Sequence, residues 1–413
     1  MKLIHAADLH LDSPMVGLGR YDGAPVDEIK GATRKALANL VDAAMDHEVD
    51  AVLLAGDLFD GNWTHYGTGV HFIKEMGRLR EAGIPVVSIS GNHDAESKIT
   101  KELGFPDNVH VLDVAEPETF VLENVGLAVH GQGYAAAAIT DDLSLAYPGP
   151  LADLVNVGLL HTAVGGRRGH ANYAPCKLAF LQEHGYDYWG LGHSHGFEIL
   201  SEDPPVVFSG NLQGRGIHER GPKGAVLVEV GPDGVDVDRL SLDVVRWEIV
   251  ELDVGKAATF DDLAGLARTG MRAAANEAGD RLLAARIVFS GEGEIHNDLL
   301  ADPERLRHEM YGAAVDVAGD QLWVEEVRVE TSPPGAAPTA GSDAVGELLA
   351  ELEDISADDV AIAEIATELD SLAEVLPPSL AAELAPNEPR FVAGVLRNLS
   401  ASLPAELMRG ERS

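Results

Sequence analysis

The sequence predicts an α/β protein: alternating strands and helices over residues 1–240, a smaller α+β domain over 241–330, and a helical tail over 342–413. Three observations carry this. The run Ala51-Val52-Leu53-Leu54-Ala55 has strand length, is wholly apolar, and stops at Gly56-Asp57; four other short apolar runs also end in polar residues. Helical periodicities separate the early runs. Near residue 241 the polar strand ends cease, and alternating strands separated by two helical stretches take over. Open α/β sheets place their chemistry at strand C-termini, so the polar residues at those ends are the functional candidates.

The first strand, Lys2 to Ala7, leads into Asp8-Leu9-His10. In an extended segment residues i and i+2 face the same side, so Asp8 and His10 can reach one cation. Apolar residues Ile29, Ala32, Ala36, Leu40 and Ala44 mark a helix, and the strand 51–55 then delivers Asp57. A carboxylate can bridge two cations about 3.5–4 Å apart. A helix over His71 to Ala82, capped by Gly83, precedes a strand over Pro85 to Ser90. That strand ends in Gly91-Asn92-His93-Asp94, where Asn92 offers a neutral carbonyl oxygen and His93 can face a substrate. Strands over Leu127 to His130 and Val157 to Leu160 follow, the second ending at His161. The strand Tyr188 to Leu191 leads into Gly192-His193-Ser194-His195, and strands over Val206 to Ser209 and Ala225 to Val230 complete the domain.

Taken singly, each signal has a plain structural reading: a polar strand end, a Gly-Asn turn, a buried histidine. Together they form one set: Asp8, His10, Asp57, Asn92, His161, His193 and His195. Divided around a bridging Asp57, Asp8, His10 and His195 would complete one cation site, and Asn92, His161 and His193 the other. Imidazole and oxygen donors without thiolate favour Mn²⁺, Fe²⁺, Zn²⁺ or Ni²⁺ over Mg²⁺ or Ca²⁺.

At 413 residues and 46% apolar content the chain is long enough for several domains and is not wholly disordered. Its one cysteine, Cys176, excludes a disulfide framework and a cysteine-based zinc site. The N-terminus lacks an uninterrupted apolar core of the signal-peptide type, and no run approaches the ~18 residues of a membrane helix. A cytoplasmic protein without membrane contact is expected. The net charge of −38 argues against diffuse adhesion to nucleic acid or anionic lipid. It remains compatible with a phosphate substrate, because bound divalent cations reverse the local sign.

In the second domain, strands are expected over Val244 to Leu252, Leu282 to Ser290 and Gln321 to Val329, with helices over Asp261 to Ala278 and Pro303 to Val317. The Pro-, Gly- and Ala-rich stretch 331–341 reads as a linker. Acidic residues far outnumber arginines in the tail. Its Val345, Leu348, Leu349, Leu352, Leu369, Leu372 and Leu376 recur at helical spacing. Such a face suits either packing back on the chain or docking into a partner's groove.

The ordered series Asp-x-His, Gly-Asp, Gly-Asn-His-Asp, a lone His and Gly-His-x-His resembles the calcineurin-like metallophosphoesterases. His5 to Pro14, Gly210-Asn-Leu-Gln-Gly-Arg215 and Gly221-Pro-Lys-Gly224 resemble the double-strand-break repair exonuclease branch, of the SbcD/YhaO-like nuclease-subunit kind. The likeness is specific over 1–230, architectural over 241–330 and weak beyond. It implies a two-sheet αββα sandwich, a capping domain over 241–330, and a two-metal phosphodiester hydrolase, with Mn²⁺ the first expectation. It further implies DNA and an SMC-like ATPase as partners, the ATPase held by the tail, with a homodimer left open. His93 is then the proton donor to the leaving oxygen, and Asp60 is placed to orient and charge it. Lys98, Lys101, Arg167, Arg168, Arg215, Arg220 and Lys223 are candidate phosphate contacts. The competing readings are a small-molecule phosphodiesterase or protein phosphatase on the same fold, and a non-catalytic scaffold. The shared metal motifs do not separate the first of these from a nuclease.

Overall fold

A computed structural model of the chain describes residues 1–15, 23–60, 66–96, 104–165, 173–334, 355, 358–369 and 385–396. The strands are β1 (Lys2–Ala6), β2 (Ala51–Ala55), β3 (Val86–Ile89), β4 (Val109–Val111), β5 (Glu118–Leu122), β6 (Leu127–Gly131), β7 (Val155–His161) and β8 (Tyr188–Gly192). There follow β9 (Glu198–Glu202), β10 (Pro205–Phe208), β11 (Gly224–Gly231), β12 (Gly234–Ser241), β13 (Val245–Asp253), β14 (Leu282–Glu292) and β15 (Leu322–Ser332). The helices are α1 (Val26–Lys30), α2 (Ala32–Asp46), α3 (Tyr66–Glu81), α4 (Asn92–Glu96), α5 (Leu178–Glu183), α6 (Phe260–Ala278), α7 (His296–Ala301), α8 (Pro303–Ala318) and α9 (Asp359–Glu368).

The first unit holds Met1–Ile249, Ala274–Ala285 and Asp320–Glu325. It contains two six-stranded sheets, in the orders β12-β11-β1-β2-β3-β4 and β5-β6-β7-β8-β10-β9. Strands β1 to β4 run parallel, as do β6, β7, β8 and β10; the antiparallel pairings lie toward the edges. The sheets face each other across an apolar core that includes Leu3, Leu53, Val87 and Ile89 from one side and Val129, Val157, Leu159 and Val207 from the other. The outer face of the first sheet packs on α2 and α3 through Ile4, Val52, Leu54, Leu37, Leu40 and Phe72. The outer face of the second packs on α5 through Leu160, Leu191 and Leu181.

This is the expected αββα sandwich, and it explains the composition of its strands. A strand covered on both faces must be apolar at every position, and all five residues of β2 and of β8 are buried. Each fully buried Leu, Ile or Val contributes roughly 1.5–3 kcal/mol by leaving water. The core therefore holds the parallel strands in register and fixes where their C-terminal ends lie.

The third sheet has the order β13-β14-β15. Residues Val250–Ala273, Arg286–Gly319 and Glu326–Ser413 make up the second unit. There α8 begins with Asp302 accepting from the Arg305 N–H and with Pro303 at the first turn. The Arg305 guanidinium lies 4.2 Å from the Phe260 ring centroid. Strand β15 runs to Ser332, two residues into the stretch expected to be a linker. Of the tail, α9 and a helix over 389–396 are described, and Ile362, Ala366 and Val392 form a small apolar cluster joined by Leu369. Val345, Leu348, Leu349, Leu352, Leu372 and Leu376 lie outside the described residues. No helix among the described residues is long and apolar enough to cross a membrane.

Candidate metal centre

All seven expected ligands stand at or just past the C-termini of parallel strands: Asp8 and His10 after β1, Asp57 after β2, Asn92 after β3, His161 at the end of β7, His193 and His195 after β8. Pairing of β1 with β2 continues beyond both strands. The Asp8 N–H donates to Gly56 O at 3.0 Å and the His10 N–H to Asp57 O at 3.1 Å. The backbone is not extended there, contrary to the i, i+2 expectation. Asp8 (φ 51°), His10 (φ 42°), Asp57 (φ 53°) and His193 (φ 98°) are all left-handed. Asp and His enter that region more readily than most residues, and a cluster of such residues is characteristic of functional sites.

Two glycines let the strand ends meet, through the absence of a side chain. A Cβ on Gly91 would lie 2.2 Å from Asp57 Oδ1, and one on Gly192 would lie 2.0 Å from Ala55 O. Asp94 ties the same loops together, accepting from the N–H groups of Leu58, Phe59 and Gly91 at 3.0–3.2 Å. Burial first, then neighbouring Asp57, raises the Asp94 pKa against the pull of those donors.

The side chains converge. Asp8 with His10 and His195, Asp8 with Asp57 and His161, and His10 with Asp60 and His93 make trios within each of which the ligand atoms lie within 4.8 Å of one another, and Asp57 Oδ2 also lies 3.9 Å from His10 Nε2. Asn92 Oδ1 is 3.0 Å and Asp57 Oδ2 is 3.4 Å from His161 Nε2. His193 lies beside them, its ring 5.3 Å from that of His161, and its N–H donates to Asp8 Oδ2 at 2.9 Å.

The donor set fits divalent cations. His161 Nδ1 lies 2.9 Å from Ala55 O, which only accepts, so this nitrogen carries a proton and Nε2 is the free one. Nε2 then faces two oxygen acceptors, an arrangement that needs a positive charge, from a proton or a metal. Burial pulls the His161 pKa down, but Asp57 outweighs it and pushes it up to about 9. On the other side, His10 Nε2 and His195 Nε2 face each other at 3.1 Å. His195 Nδ1 lies 2.8 Å from Glu219 Oε1 and 3.2 Å from Arg215 Nη2. It cannot both donate and accept, and a bare nitrogen 2.8 Å from a carboxylate would be repelled, so it donates to Glu219. That leaves the His195 Nε2 lone pair pointing at His10 and, at 3.9 Å, Asp8 Oδ1.

Beside this cluster His93 Nδ1 lies 3.2 Å from Asp60 Oδ1, and the His93 side chain is 37% exposed, enough for a substrate to reach. The hydrogen bond with Asp60 raises the His93 pKa over the opposing effect of burial, helped by the charge of Asp57. Burial disfavours ionisation of Asp60, yet hydrogen bonds from His10, His93 and Ser13 hold its carboxyl well below the usual range.

Of the candidate phosphate contacts, Arg215 is turned inward onto Glu219 at 2.7 Å, and Lys223 donates to His195 O at 2.6 Å. Arg220 is exposed. Lys98, Lys101, Arg167 and Arg168 lie outside the described residues. Sequence reasoning passed over Glu219 and Asp94. Asp94 stood in the Gly-Asn-His-Asp motif without a role. Glu219 follows no strand and sits in a segment that reads as basic.

Two opposed sheets whose parallel strands deliver histidines and carboxylates to one cation-ready cluster define a metal-dependent hydrolase. More specifically, residues 1–197 match the calcineurin-like phosphoesterase family and so form a calcineurin-like metallophosphoesterase domain, and residues 247–332 match the middle domain of metallophosphoesterase YhaO. It is 37% identical over 267 residues to a Bacillus subtilis protein described as an uncharacterized metallophosphoesterase, YhaO, covering 64% of this chain and 65% of that one. It is 24% identical to the DNA double-strand break repair protein Mre11 of Sulfurisphaera tokodaii, over 61% of this chain and 65% of that one. The corresponding protein of Haloferax volcanii is 26% identical, over 61% and 55%. The chain thus spans just under two thirds of the length of these relatives, or less.

Proposed function

We propose that the chain hydrolyses phosphodiester bonds of DNA with two divalent cations, Mn²⁺ foremost, in the repair of broken DNA. The observation that carries the phosphodiesterase reading is the convergence of Asp8, His10, Asp57, Asn92, His161, His193 and His195 beside a partly exposed His93 whose Nδ1 is engaged by Asp60. The DNA reading draws on relatives named as double-strand break repair proteins. When bound, such cations lower the pKa of a coordinated water and take up the charge of the phosphoryl group.

The chain's own residues supply the rest. Asp57 accepts the His93 backbone N–H at 2.9 Å, so the carboxylate that would serve both cation positions also fixes the backbone carrying the proton donor. Asp60 engages Nδ1 of His93 and favours the imidazolium, which leaves Nε2–H to protonate the departing sugar oxygen. The tail over 342–413 docks an SMC-like ATPase through an amphipathic helix, and a second copy of the chain is the other candidate partner.

A second reading, hydrolysis of a small phosphodiester, is favoured by the net charge of −38 and by the inward pairing of Arg215 and Lys223. One assay separates the two. Purified protein with Mn²⁺ is offered linear duplex DNA, single-stranded DNA and an aryl phosphodiester. Cleavage of DNA is expected; turnover of the aryl ester alone would favour the second reading.

A further inference from the structure

We propose that Glu219 is the positioning residue for His195: it fixes which ring nitrogen faces the cation pair and so sets the affinity of one cation position. The inference rests on the two-cation reading above. The buried ring of His161 is oriented by the backbone carbonyl of Ala55 at 2.9 Å, a group that no substitution removes. His195 instead depends on a side chain from a different segment, Glu219, whose Oε1 lies 2.8 Å from Nδ1.

The carboxylate is itself held from several sides. Oε2 accepts from Asn211 Nδ2 and from the Arg215 N–H, each at 2.8 Å, and Arg215 Nη2 donates to Oε1 at 2.7 Å. Both oxygens are thus committed, and Oε1 has one direction in which to meet the imidazole. A carboxylate behind a ligating histidine fixes the tautomer and raises the basicity of the nitrogen that faces the metal.

The loop that carries Glu219 has anchors that do not pass through it. Gln213 accepts from the Val244 N–H at 2.8 Å and donates to Val245 O at 2.7 Å, and Trp247 Nε1 donates to Gly214 O at 3.0 Å. Ile217 is buried against Trp247 and Trp323 in a cluster of its own. Removing the Glu219 carboxylate therefore leaves the loop pinned while His195 loses its orienting partner.

The test is a Mn²⁺ titration of the full-length protein, followed by the electron paramagnetic resonance of free Mn²⁺. The wild type should bind two equivalents. Glu219→Ala should lose about 10–100-fold in affinity for one equivalent and keep the other. Glu219→Gln, whose amide oxygen still accepts the Nδ1 proton without the charge, should fall between. In the cation-free wild type, nitrogen NMR should find the His195 proton on Nδ1. Wild-type affinity for both equivalents in both variants, or a His195 proton on Nε2 in the wild type, would overturn the proposal and leave the two-cation reading standing. A wild type that takes up no Mn²⁺ would overturn both. If Glu219→Ala does not fold, Glu219→Gln decides alone: weakened binding supports the role, and unchanged binding removes it.

Discussion

Replacing His93 with Gln should leave cation binding intact and slow phosphodiester turnover by about 10²–10⁴-fold, the usual worth of a general acid. The loss should shrink on a nitrophenyl ester, whose leaving group needs little protonation; equal damage to both substrates would remove the proton-donor role. Asp60→Asn should also slow turnover, because the Asp60 hydrogen bond is the largest contributor to the raised His93 pKa. A second single-residue prediction concerns stability. Burial depresses the His5 pKa to about 3 from an ordinary 6.5, and its Nδ1 lies 2.9 Å from the Tyr188 hydroxyl. Between those values the unfolded chain binds a proton that the folded chain refuses. The His5 contribution is therefore intact above pH 6.5 and is lost as pH falls toward 3, at up to about 1.4 kcal/mol per pH unit. His5→Gln should reduce the drop in unfolding free energy between pH 7 and pH 5 by about 2 kcal/mol, measured by urea denaturation. An unchanged drop would show that other groups carry it. At this scale the residues that converge at the strand ends were legible because each follows an apolar run, a pattern visible in one dimension. Glu219 was not, because its partner His195 lies 24 positions away and the contact exists only after folding.

Gly91 shows what a strand end must allow. Its Cβ position coincides with the Asp57 carboxylate, so Gly91→Ala should displace that carboxylate and cost roughly 1–3 kcal/mol of stability through overpacking. Cation uptake should fall with it; a variant that melts like the wild type and binds cations normally would mean the loop yields without moving Asp57. At Gly91 the close approach of the Asp57 loop, and not a positive φ, is what excludes a side chain. The buried strands were legible from their continuous apolar runs, and α2 and α3 from their periodicity, whereas the six-residue α5 was too short to show one. Edge strands were not. β12, with its run Val-Asp-Val-Asp-Arg, is exposed along much of its length, and β4 is three residues long. Such segments pair because a neighbouring strand offers hydrogen bonds, and local composition does not report that neighbour. The left-handed residues at Asp8, His10 and His193 escaped for the same reason: their conformation is imposed by the contacts around the site.

Across the whole chain, the surplus of acidic residues means that any duplex contact must be local. Replacing a residue that touches a DNA phosphate should lower the salt slope of binding by about one unit. With Arg215 and Lys223 engaged inward, the exposed Arg220 is the member of its loop from which this is expected. An unchanged slope for Arg220→Ala would take the loop out of the interface. The tail poses a separate question. Its described part gathers Ile362, Ala366 and Val392 into one small apolar cluster. If the tail is the docking arm proposed above, deleting residues 342–413 should leave the melting temperature and Mn²⁺-dependent hydrolysis of a small phosphodiester nearly unchanged, while abolishing co-purification with an SMC-like ATPase. A truncated protein that melts many degrees lower, or still holds the ATPase, would place the tail in the fold or the partner elsewhere.

The central claim is that one carboxylate, Asp57, serves two cation positions. Elemental analysis and Mn²⁺ titration of the wild type and of Asp57→Ala test it directly. Two equivalents are expected in the wild type and neither in the variant, with the fold retained by circular dichroism. Full occupancy in Asp57→Ala, or a wild type that binds no cation at all, would contradict the account.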